Sequence, residues 1–63
     1  MFELCDIDYI AYCTKEHYMT IHLKKRILVK GYNTYQVNIK CDYQTFAKRV
    51  SVWIDFKNNL KIN

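Results

Sequence analysis

Between positions 19 and 41 the apolar side chains keep to odd numbers, and the only glycine interrupts them once. Met19, Ile21, Leu23, Ile27 and Val29 precede Gly31; Tyr35, Val37, Ile39 and Cys41 follow it. A period of two lines one face of a strand. The segment therefore reads as two antiparallel strands joined by a turn at 31–33. That loop sets Val29 opposite Tyr35 and Ile27 opposite Val37. Lys25 breaks the rule, because its parity points inwards. A bulge or break at 24–26 turns it outwards; the alternative is two separate strands joined there by a basic turn.

The C-terminal third carries two competing patterns. Val50, Val52, Ile54 and Phe56 alternate with Ser51, Trp53 and Asp55, as in a half-buried strand. A loop at 57–59, with Asn59 in the left-handed conformation it tolerates, then faces Phe56 to Leu60 and Ile54 to Ile62. Tyr43, Phe46, Ala47 and Val50 instead have helical spacing, with Asp42 as N-cap. Carried on through Trp53 and Ile54, that stripe makes a long helix. The β-branched content of Val50-Ser51-Val52 favours a strand from about residue 49 and only a helical turn over 43–48. At the N-terminal end, Asp6 caps a short helix over 6–14 with Ile7, Ile10 and Ala11 on one face; a strand over 9–13 is the competing reading.

These patterns give an α+β class: a small antiparallel sheet of three to five strands, hairpins at 31–33 and 57–59, and one short helix. An all-β meander or small barrel is the alternative. Residues 1–63 are expected to form one compact domain.

A chain of 63 residues hides only about 60% of the surface its unfolded form exposes. It leaves hardly any room for a deep cleft, which argues against an enzyme and for a protein that works through its surface. Three cysteines, Cys5, Cys13 and Cys41, are an odd number and too few for a secreted disulfide scaffold. With no signal-peptide pattern at the start and no apolar run long enough for a membrane, a reducing cytoplasm is expected.

Cys13, His17 and His22, with Cys5 or Cys41, are the right ligand types for zinc. Their spacing is wrong: there is no Cys-x-x-Cys pair, and His17 and His22 would point to opposite faces of one strand. Cys41 with His22 could be imagined as a nucleophile and base, yet no glycine-rich turn presents them. No metal, cofactor or catalytic residue is expected.

Charge is unevenly spread. Residues 1–23 hold four acidic residues against one lysine; residues 24–63 hold nine basic residues against two acidic ones, giving formal charges of −3 and +7. The outward positions of the predicted sheet collect Tyr18, Thr20, His22, Lys24 and Arg26, with Gln36, Asn38, Lys40 and Trp53. Bases stack on rings while phosphates meet cations, so such a face suits single-stranded nucleic acid. Trp, Tyr and Arg are equally the common anchors of protein interfaces. Tyr18, His22, Lys24, Arg26, Lys40 and Trp53 are the expected partner-binding residues. If a helix packs on that face instead, Trp53 becomes core.

Asn, Lys, Ile and Tyr, all with AT-rich codons, supply 26 of the 63 residues, which points to an AT-rich genome such as those of many phages, viruses and low-GC bacteria. The expected function is a small non-catalytic regulator or inhibitor of viral or phage type. It docks on a larger intracellular protein, with nucleic-acid-processing machinery among the candidates. Direct single-stranded nucleic-acid binding is the alternative. Strand edges at 17–23 or 60–62 offer a route to a homodimer or to strand addition.

Overall fold

The computed structural model describes residues 2–62, with side chains from Phe2 to Leu60. A 3₁₀ turn at Leu4–Asp6 leads into three strands, β1 (Ile7–Cys13), β2 (Tyr18–Val29) and β3 (Tyr32–Lys40), and then a helix, α1 (Tyr43–Ile62). The strands pair antiparallel in chain order, and the sheet is open at both edges. The α+β class therefore holds, and the barrel does not form.

The central hairpin keeps the expected inward set on β2, but its turn differs and Tyr35, expected inward, is exposed. Lys30 and Gly31 both have positive φ, 51° and 85°, and Val29 lies opposite Tyr32. Positive φ at both turn residues is the two-residue hairpin geometry whose twist matches that of the strands. The loop is thus tighter than 31–33. The surplus chain is taken up between His22 and Ile27, where the register shifts. Lys25 lies in that stretch with its side chain 62% exposed, as its odd parity required of a bulge. The expected pairs Val29–Tyr35 and Ile27–Val37 are therefore replaced by Val29–Tyr32 and Ile27–Thr34, and beyond the irregular stretch Ile21 pairs with Val37 and Met19 with Ile39.

Residues 6–14 form no helix. They contribute β1, joined to β2 through a turn at 14–17 in which His17 has φ 57° and its N–H bonds to the Cys13 carbonyl at 2.9 Å. Nor is there a hairpin at 57–59, because the backbone is helical through Ile62; the Ile62 side chain, which that register paired with Ile54, lies outside the described residues. The segment 17–23 is no edge either. Residues 18–23 belong to β2, which is paired on both sides, and the expected edge at 60–62 is helical, so the free edges are β1 and β3.

Met19, Ile21, Leu23 and Ile27 of β2, with Ile7 of β1, form the buried core. Each such side chain contributes about 1.5–3 kcal/mol on burial. Phe46 and Trp53 of α1 pack onto it, together with Leu4, Ile10 and Tyr12. Among the described side chains of the helix the half-buried ones are Phe46, Val50, Trp53 and Phe56, at steps of four, three and three, whereas Val52 and Ile54 are exposed. That is a helical stripe. The helix lies mainly over β1 and the 3₁₀ turn, so Ile39 on β3 keeps 38% of its surface exposed.

Tyr12 ties helix to sheet. Its ring stacks on Phe46 at 5.0 Å and meets Tyr43 edge-on at 5.7 Å, and its hydroxyl donates to the Cys41 carbonyl at 2.9 Å. The helix start is fixed by Asp42, whose Oδ1 accepts the Thr45 N–H at 2.8 Å, the N-cap bond the sequence suggested. That bond holds the Asp42 carboxyl below the usual carboxylate range. Asp6 is lowered too, first by the Glu3 N–H it accepts and then by Lys25.

Both carboxyls are depressed in the folded state. Their contribution is therefore present above the unfolded value, near pH 4, and is lost as pH falls through the lower folded values. Thermal melts followed by circular dichroism should show the melting temperature dropping on acidification below about pH 4. Asp42→Asn keeps a capping acceptor and should flatten that drop while leaving the neutral-pH melt nearly unchanged. An unaltered acid slope in this variant would assign it to other groups.

Candidate docking surfaces

Because Met19, Ile21 and Leu23 face the helix, alternation turns Tyr18, Thr20 and His22 the other way. The registers carry this across the sheet in three rows. Tyr9, His22 and Gln36 form one; Ala11, Thr20 and Asn38 the next; Cys13, Tyr18 and Lys40 the third. None of the nine is buried, and α1 lies on the opposite face. A flat patch three strands wide is thus left uncovered.

Side-chain contacts order this face. Tyr9 and His22 stack with ring centroids 4.1 Å apart and planes 18° from parallel. The Thr20 hydroxyl donates to Asn38 Oδ1 at 2.9 Å, and Gln36 Nε2 donates to the same oxygen at 3.3 Å. Lys40 Nζ donates to the Glu16 carbonyl in the 14–17 turn at 3.4 Å. Lys40 is the one Lys, Arg, Asp or Glu side chain of the patch.

Of the six residues expected to act together, Tyr18, His22 and Lys40 share this face. Arg26 lies in the irregular part of β2, its guanidinium 5.1 Å from the centre of the Tyr35 ring. Trp53 is on α1 at the core side, so it is no member of the open face. Lys24 leaves that face as well. The irregular stretch turns it into a groove beside Trp53, walled also by Leu4, Ile7 and Phe56. The basic aromatic surface is thus divided between the two sides of the sheet. Tyr9 was missed, since its segment reads as helical; only the β1 register places it on His22.

Cys13 and His22 sit two rows apart on the open face, and His17 lies in the turn. Among the described residues no three of His, Cys, Asp and Glu come together as metal ligands. The three cysteines are free thiols. No helix among the described residues is long and apolar enough to cross a membrane. Comparison of the chain with protein-family models, with curated proteins and with solved structures finds no match.

Proposed function

We propose that this chain is a non-catalytic binding protein that docks on a larger protein through the open face of its sheet, with Tyr9, Tyr18 and His22 as anchors. The observation that carries this reading is the makeup of the nine-residue patch: three rings, three amide or hydroxyl side chains and a single lysine. Interface centres are enriched in aromatics and depleted in charge. A nucleic-acid surface needs several free cations to displace counterions, and here Lys40 already serves a backbone carbonyl. Free thiols at Cys5, Cys13 and Cys41 support a reducing compartment such as a cytoplasm, that of a host if the chain is viral. The free edge of β3, nine residues long, is the place for strand addition or self-pairing.

The test is affinity capture from extract of the source cells, with nuclease, comparing the native chain with a Tyr18→Ala/His22→Ala variant shown by circular dichroism to be folded. Capture that survives nuclease and is lost in the variant is the expected result. Capture by the variant equal to that of the native chain would sink the proposal. Capture abolished by nuclease, with oligonucleotide affinity falling steeply with salt, would put direct nucleic-acid binding in its place.

A further inference from the structure

On the other side of the sheet, where Lys24 and Trp53 come together, a groove of about 370 Å³ runs between α1 and the β1–β2 end. Its walls are apolar: Leu4, Ile7, Trp53, Phe56 and Leu60. Its rim carries Lys24, Lys57 and Asp8. Two irregularities build it. β1 shifts register at Asp8 and β2 shifts between His22 and Ile27, so both strands deform at the end where Ile7 faces Leu23. Strict alternation would have sent Lys24 to the open face; the deformation brings it here.

The charges at the rim are unmatched. Lys25, next along the chain, is paired with Asp6 at 3.6 Å. Lys24 has no ion pair or hydrogen bond among the described residues, and Lys57 rests its ammonium 4.3 Å from the centre of the Trp53 ring rather than on a carboxylate. Two cations and one carboxylate therefore surround an apolar floor that includes an indole. Leu60 at its end is 58% exposed. The volume lies at the low end of ligand sites, which run from about 300 to 1,000 Å³. It holds a few side chains of a peptide.

We propose that this groove receives a short acidic segment of a partner protein. One large apolar side chain lies against Trp53, with Asp or Glu residues flanking it on Lys24 and Lys57. Charge complementarity selects this occupant: the rim sets two cations against the single carboxylate of Asp8, so a basic segment would meet more like charge than an acidic one, and a wholly apolar one would leave both ammonium groups to be partly desolvated without a partner. Trp is the residue most enriched among interface anchors, and Lys57 over its face leaves a cation at the spot where a carboxylate would arrive. The site is separate from the open sheet face and does not depend on it.

Selection of short random peptides displayed on phage against the intact protein tests this directly. The enriched peptides should share a large apolar residue flanked by Asp or Glu. Synthetic versions lacking tryptophan should change the emission of Trp53, the only tryptophan in the chain. Affinity should fall about tenfold or more in Lys24→Glu/Lys57→Glu, where two attractions become repulsions, and less in Lys24→Gln/Lys57→Gln. Both lysines are exposed, so circular dichroism should show every variant folded. Three results would overturn the proposal: no enrichment, enrichment without acidic residues, or affinity indifferent to both substitution pairs. The pair Tyr18→Ala/His22→Ala should leave peptide affinity unchanged, which separates the fate of this site from that of the open face.

Discussion

Ile21→Asp is expected to abolish cooperative unfolding, whereas Thr20→Asp, one residue away, leaves a folded domain. Ile21 is 2% exposed in the central strand, between Ile10 and Val37. Removing its side chain forfeits about 2–5 kcal/mol of packing and transfer energy. Desolvating a carboxylate at so buried a position costs several kcal/mol more. A chain of 63 residues has only about 3–9 kcal/mol of stability, at roughly 0.05–0.15 kcal/mol per residue. Thr20 lies on the open face, where its loss removes one exposed bond to Asn38. That costs about 1 kcal/mol, with up to about 1 more for aspartate's poor strand preference. Urea titrations followed by circular dichroism separate the two. If both variants unfold, or neither does, the assignment of faces to β2 is wrong.

The same contrast shows what could be read from the sequence. Parity along β2 names Met19, Ile21, Leu23 and Ile27 as core, and the misfit of Lys25 marks the irregular stretch. Both rest on local alternation, which a strand imposes on its own residues. The observed turn, Lys30-Gly31, starts one residue earlier and ends two residues earlier than 31–33, because Lys30 enters the left-handed region beside Gly31. β1 was hidden by its own irregularity. The register shift at Asp8 makes Ile7 inward at an odd position and Ile10 and Tyr12 inward at even ones. The resulting spacing of three between Ile7 and Ile10 imitates a helix.

The candidate surfaces inherit these limits. Tyr18, His22 and Lys40 were placed together because they depend only on β2 and β3. Tyr9 depends on the β1 register, and Trp53 on whether its segment is strand or helix. That last choice is made outside the segment. Val50, Val52 and Ile54 favour a strand locally, but a three-stranded sheet with one apolar face needs a cover. The stripe Phe46, Val50, Trp53 and Phe56 supplies it. Helix propensity differs little among these residues, so tertiary burial decides.

Opposite responses to two substitutions at Ser51 follow from that choice. Ser51 is exposed in the middle of α1, so its replacement acts through the backbone. Ser51→Pro deletes the amide that a helix would bond to the Ala47 carbonyl and drives the proline ring against that carbonyl. The cost is about 3 kcal/mol or more, a large share of the total stability. The break falls just before Trp53 and Phe56, so the second half of the helix loses its hold on the core. The helical far-ultraviolet signal should shrink, and Trp53 emission should move to the red as the indole meets water. Ser51→Ala does the reverse. Alanine is the better helix former, so the urea midpoint should rise, by up to about 0.5 kcal/mol in stability. In a strand, alanine would be the poorer residue and the midpoint would fall. A lower midpoint for Ser51→Ala, with Ser51→Pro tolerated, would return residues 50–56 to a strand and detach Trp53 from its place on the core.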